Sequence, residues 1–171
     1  SIVEYYPLQE LFLTDKYLVN RGIRGYKTDL LDHHLDAHIF GQVVDKVFLL
    51  IGTNDIGKEM PLSGTIDHMT SILQEIARLL PLAQIKLLSV LPVNEGAIYK
   101  GTVYIRSNQK IQALNQAYRD LAEGMVNVEF IDVFDCLLGA DGQLKPAYTT
   151  DGLHLTIEGY RVLSERLQKE L

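Results

Sequence analysis

Ser1, Gly25, Asn54, Asp151 and His154 between them carry the groups an acyl transfer needs. These are a hydroxyl to attack, an imidazole to take its proton, a carboxylate to orient that imidazole, and donors for the oxygen that becomes negative. Asp151 and His154 are three apart in Asp151-Gly152-Leu153-His154, so a tight loop lets the carboxylate accept from one ring nitrogen and frees the other for a hydroxyl. Read alone, the same four residues are an Asp-Gly turn followed by an unengaged histidine. Asn54, in Gly52-Thr53-Asn54-Asp55, offers a side-chain amide to an oxyanion. Removing one such donor from a hydrolase costs about 2.7 to 4 kcal/mol of transition-state stabilisation. Chain reversal explains those letters equally well. Gly25 either presents an unobstructed N–H to the same oxygen or simply meets a loop's need for positive φ. Ser1 supplies the nucleophile, or is an ordinary helix cap or chain end.

Positioning these residues is the task of elements legible from hydrophobic period. Short β-rich apolar runs at 17–19, 47–51 and 85–90, and the alternating Val126, Val128 and Phe130, predict strands. The near-continuous run at 47–51 suits a strand covered on both faces, hence a parallel sheet between helices. Helical stripes lie between: Leu31, Leu35 and Ile39 after Thr28; Ile66, Met69, Leu73, Ile76 and Leu80 after Ser63; Ile111, Leu114, Tyr118 and Leu121, closed by Gly124; and Tyr160, Leu163 and Leu167 after Thr156. Alternating strands and helices with right-handed crossovers give a three-layer α/β/α sandwich. Its functional loops gather at the carboxyl ends of the strands, where the segments around Ser1, Gly25, Asn54 and His154 should meet. No strand precedes Ser1, and a doubly wound sheet without its central strand leaves two neighbours with unpaired backbone. The expectation is that residues before Ser1 supply it.

Taken together, the segments resemble the SGNH hydrolases, the GDSL-like lipase/acylhydrolase superfamily, and especially its platelet-activating-factor acetylhydrolase-like branch. Members of that family open with a strand ending in Gly-Asp-Ser. Ser1-Ile2-Val3-Glu4 is similar to that block from its serine onward, Asn20-Arg21-Gly22-Ile23-Arg24-Gly25 to the second, Gly52-Thr53-Asn54-Asp55 to the third, and Asp151-Gly152-Leu153-His154 to the fifth. The blocks stand in order and span essentially the whole chain, so residues 1–171 are expected to form one domain. The resemblance implies a flavodoxin-like fold with sheet order 2-1-3-4-5, the first strand missing from the chain as given, and ester hydrolysis without metal or organic cofactor. By carry-over, Ser1 is the nucleophile, His154 the base and then the acid, and Asp151 its orienting carboxylate. The backbone N–H groups of Ser1 and Gly25 and the Asn54 amide would form the oxyanion hole.

Composition narrows the rest. Apolar residues make up 47% of the 171 and charged residues 22%, as in a packed globular protein. Sixteen Lys plus Arg against twenty-two Asp plus Glu give a formal charge of -6, which argues against nucleic acid or anionic lipid as a partner. No apolar run approaches the roughly 18 residues of a membrane span. The lone Cys136 permits no internal disulfide and reads as a small core residue in a reducing, cytoplasmic setting. His34 and His38 have a metal-gripping spacing but no accompanying Glu, and read as the shoulder of an amphipathic helix; His33 and His68 read as solvated. No phosphate-binding glycine motif occurs.

Leu91 to Gly101 reads as the longest loop near the proposed site, with Pro92, Val93, Ile98 and Tyr99 as candidate pocket residues and 94–101 as a candidate lid. A plain surface insertion is the alternative. The activity expected is hydrolysis of small or medium acyl esters, acetyl included, through an acyl-enzyme. Two rivals stand beside it: a non-catalytic ligand-binding module on the same fold, and an N-terminal nucleophile hydrolase using the Ser1 amine as base. The partner is then a small-molecule, lipid or carbohydrate ester, with homo-oligomerisation left open.

Overall fold

A computed structural model of the chain describes residues 1–39, 41 and 43–171. The order along the chain is α1 (Leu8–Leu11), α2 (Thr28–His33), α3 (Leu35–Ile39), β1 (Lys46–Leu49), α4 (Thr53–Gly57), α5 (Leu62–Leu79), β2 (Gln84–Leu88), α6 (Lys100–Val103), α7 (Asn108–Glu123), β3 (Val128–Ile131) and α8 (Ile157–Leu167). The strands pair in the order β1-β2-β3, all parallel, with Val47 opposite Ile85 and Ile85 opposite Val128.

Strand period divides the core into two. Val47 and Leu49 of β1, Ile85 and Leu87 of β2, and Val128 and Phe130 of β3 face one way, onto Met69, Leu73 and Ile76 of α5 and Ile111, Leu114 and Tyr118 of α7. Phe48, Leu88 and Ile131 face the other way, onto Tyr160, Leu163 and Leu167 of α8 and residues of the opening segment. Successive side chains on a strand point to opposite faces, so two helical layers on one parallel sheet follow directly. Ile85, Leu87, Ile76 and Leu163 are fully buried. Truncating such a Leu or Ile to Ala costs about 2–5 kcal/mol, which sets the scale on which the core holds the site's scaffold rigid.

Several boundaries differ from the sequence expectation. The stripe from Leu31 to Ile39 is two short helices interrupted at His34, and Thr28 is the first residue of α2 rather than its cap; its hydroxyl donates instead to buried Asp55 at 2.5 Å. The long α5 starts at Leu62 after Pro61, so Ser63 is inside it. Ser107 caps α7 by accepting from Lys110 N, while Gly124 ends that helix at φ -81° and not in the left-handed region. Thr156 caps α8 as expected, accepting from Gly159 N.

Residues 17–19 are not a strand, and Tyr17 is 90% exposed. A strand needs a neighbour for its backbone, and this segment instead borders an apolar groove of about 570 Å³ beside β1, lined by Phe12, Leu18, Phe48 and Leu50 among others. Among the described residues no strand precedes β1.

Candidate active site

The carboxyl ends of the strands carry the candidate residues to one place. Asp151 to His154 form a turn just before α8, and its shape is dictated by hydrogen bonds. Asp151 Oδ1 accepts from the backbone N–H of Leu153 at 3.0 Å and of His154 at 2.8 Å, and Gly152 N donates to Thr149 Oγ1 at 2.9 Å. Gly152 has φ +82°, and a side-chain carbon there would fall 2.6 Å from Cβ of Tyr99, so only glycine suits both the backbone and the packing. Its carbonyl is taken by Asn94 N at 2.9 Å, which ties the turn to the stretch after β2.

With the turn so held, Asp151 Oδ2 lies 2.7 Å from His154 Nδ1, and His154 Nε2 lies 2.9 Å from Ser1 Oγ. Burial alone raises the Asp151 carboxyl, but the His154 ring and the two backbone N–H groups outweigh it and hold the carboxyl below the ordinary carboxylate range. An ionised Asp151 accepts from Nδ1–H, which leaves Nε2 as the lone-pair nitrogen facing the hydroxyl.

Ser1 is fixed from the opposite side. Tyr160 Oη donates to the Ile2 carbonyl at 2.7 Å, Asn20 Nδ2 donates to Val3 O at 2.6 Å, and Tyr6 and Ser164 share a hydrogen bond of 2.9 Å beneath them. Tyr160 and Ser164 belong to α8, so one helix carries supports for the serine segment while its cap adjoins the histidine turn.

Asn54 stands in the first turn of α4, directly after β1. Gly52 before it has φ +132°, and a side-chain carbon there would come within 2.8 Å of Leu114 Cδ2, so the reversal needs glycine. Asn54 Nδ2 donates to Tyr26 O at 3.0 Å, and among the described residues its second N–H has no acceptor. Gly25, one residue before Tyr26, has φ +76° on an exposed turn, and its N–H donates to no acceptor among the described residues. No described contact joins Gly25 to Ser1. The glycine that packs against the serine segment is Gly22, where a side-chain carbon would meet Glu4 N at 2.4 Å; two glycines three apart look alike in sequence, and only tertiary approach separates them.

The stretch after β2 corrects the loop expectation. Pro92 and Val93 are buried, and Val93 is locked by both ends of the Asn108 amide, which accepts from Val93 N and donates to Val93 O, each at 2.9 Å. Asn108 thereby ties this stretch to α7. Residues 97–103 are short helical turns rather than a loose lid; Ile98 is 85% exposed, and Tyr99 packs on Gly152.

The remaining candidates take structural places. His68 Nδ1 pairs with Asp32 Oδ2 at 2.9 Å, so it is not merely solvated, and His38 packs edge-on to Tyr26. Among the described residues no group of three His, Cys, Asp or Glu is arranged to hold a metal. Cys136 is half-buried and its thiol is pushed up to about 11 by burial, as suits an inert packing residue. No helix among the described residues is long and apolar enough to cross a membrane.

Sequence reasoning missed Arg106. Its Nη2 donates to Asn54 Oδ1 at 3.2 Å and its Nε to Thr53 O at 3.0 Å. Nothing in Ile105-Arg106-Ser107 signals this, because the partners are 52 and 53 positions away.

The chain is similar to several known proteins. The family model of the GDSL-like Lipase/Acylhydrolase family matches residues 6–162 and so begins just after the Ser1 segment. A solved structure from Streptococcus pneumonia, provisionally described as a platelet activating factor, is 60% identical with a TM-score of 0.97, and the match covers 99% of this chain and 79% of that one. An N-acylneuraminate cytidylyltransferase of Escherichia coli O18:K1:H7 (strain RS218 / NMEC) is 28% identical over 98% of this chain, and a GDSL esterase/lipase of Oryza sativa subsp. japonica is 26% identical over 76%. The chain spans only 38% and 59% of the length of those two relatives.

Proposed function

The chain belongs to the GDSL-like lipase/acylhydrolase family, and from that premise we propose that residues 1–171 form one serine esterase unit that cleaves small or medium acyl esters through an acyl-enzyme. One observation carries this: the unbroken relay from Asp151 Oδ2 through the His154 ring to Ser1 Oγ, with links of 2.7 and 2.9 Å. In-line spacing of carboxylate, imidazole and hydroxyl at these distances is what proton transfer from a serine requires.

In the proposed reaction Ser1 Oγ attacks the ester carbonyl carbon while its proton passes to His154 Nε2. The carbonyl oxygen becomes an oxyanion held by the free Asn54 N–H and the backbone N–H groups of Ser1 and Gly25, and ionised Asp151 stabilises the imidazolium. Collapse of the tetrahedral species breaks the bond to the alcohol oxygen, which leaves with the proton from His154. Water, deprotonated by His154, then attacks the acyl carbon and frees the acid, returning the proton to Ser1. The sequence uses only side chains and backbone groups of this chain. Hydrolysis of p-nitrophenyl acetate tests it: the unvaried protein should turn over the ester, and Ser1→Ala or His154→Ala should abolish turnover with an unchanged circular dichroism spectrum. Full activity in either variant removes the assignment.

A further inference from the structure

Arg106 lies at the junction of α6 and α7, half-buried, and its guanidinium is fixed on all sides by neutral oxygens. Beyond Asn54 Oδ1 and Thr53 O, it donates through Nη1 to Thr102 O at 3.3 Å and Val103 O at 3.4 Å. Among the described residues no carboxylate lies within 4.0 Å of it, in contrast to Arg24, Arg78, Arg119 and Arg166, each of which has one, and Arg161, which has two. Withdrawing a cation from water without an anion to replace the lost hydration is costly, and a guanidinium stays charged at any working pH. The space for it is also built into α4: a side-chain carbon on buried Gly57 would sit 2.2 Å from Arg106 Nη2 and 2.3 Å from Cζ.

We propose that Arg106 is a positioning residue for the oxyanion hole: its uncompensated charge orients and polarises the Asn54 amide, and Gly57 provides the room. This inference rests on the esterase reading. A charged donor on Oδ1 settles which end of the amide faces the site and draws electron density from the nitrogen, so the uncommitted N–H becomes a stronger donor. The same charge acts through the amide, one residue behind the donor, in a partly desolvated setting. A carboxylate partner would cancel that field. Because the charge matters most when the carbonyl oxygen is negative, its effect falls on the chemical step and not on substrate binding.

The test is a double-mutant cycle on p-nitrophenyl acetate hydrolysis with Arg106→Met and Asn54→Ala, and with Gly57→Ala as an independent way to displace the guanidinium. Arg106→Met should lower kcat about tenfold or more with KM changed less than about threefold, and in the Asn54→Ala background it should lower kcat less than about twofold further. Gly57→Ala should follow the same pattern, and it keeps the cycle decisive if Arg106→Met does not fold. Equal fractional losses in both backgrounds, or a folded Arg106→Met with unchanged kcat, overturns the role of Arg106 while leaving the esterase reading intact. An unvaried protein that leaves the ester untouched overturns the reading itself, and this inference with it.

Discussion

Ser1 Oγ and His154 Nε2 lie 2.9 Å apart although 153 positions separate them along the chain. The pairing is possible because α8 serves both ends: Tyr160 holds the Ile2 carbonyl, and the Asp151–His154 turn leads into the cap of the same helix. Any change that loosens one end should therefore be felt at the other.

Asn54→Ala removes the side-chain amide proposed to meet the oxyanion. Ester turnover should fall by about a hundredfold or more, at nearly constant KM. Steady-state kinetics over a range of ester concentrations checks this, and a loss confined to KM contradicts it.

Asp151→Asn bears on both stability and rate. The folded carboxyl ionises below its unfolded counterpart, so folding favours the charged form. That stabilisation is complete above the unfolded value of about 3.9 and disappears as pH falls through the lower folded value. The Asn variant has no such titration, and its Tm should decline less steeply than the parent's on acidification from about pH 5. Its turnover at neutral pH should drop sharply, by as much as about 10⁴-fold, since the imidazole loses the partner that orients it. Parallel Tm-against-pH curves for variant and parent contradict the assignment of a depressed carboxyl.

Tyr160→Phe leaves the Ile2 carbonyl without its donor in a buried setting. The expected cost is about 1–3 kcal/mol of stability, read as a lower denaturant midpoint, together with slower turnover because Ser1 is held less firmly. Lost stability with undiminished turnover would separate the tyrosine from the serine's placement.

Cys136→Ser should keep full ester turnover, and iodoacetamide should leave the folded parent unmodified near pH 8. A thiol pushed up to about 11 holds little thiolate there, and its hydrogen bond goes to the Val133 carbonyl. Rapid alkylation with loss of activity would move attention from Ser1 to the thiol.

What was legible in the sequence was what local pattern encodes. The near-continuous apolar run from Val47 to Ile51 gave the two-faced strand, Thr156 gave the start of α8, and the spacing of Asp151 and His154 gave a turn whose carboxylate reaches both ring and backbone. What was not legible depends on distant approach. The apolar stripe from Leu31 to Ile39 conceals a break at His34, and Pro92 and Val93 look like loop residues until Asn108 from α7 secures Val93. Gly22 and Gly25 carry the same letter, yet one touches the serine segment and the other faces open space. Arg106 meets Asn54 only because α4 and the start of α7 pack together.

The most direct measurement is fluorophosphonate labelling of the unvaried protein, with the adduct located by peptide mass spectrometry. An activated serine attacks phosphorus and an idle one does not, so a single adduct on Ser1 that disappears in His154→Ala is the expected result. Labelling at another residue, or an adduct on Ser1 formed equally fast without the imidazole, would contradict the relay.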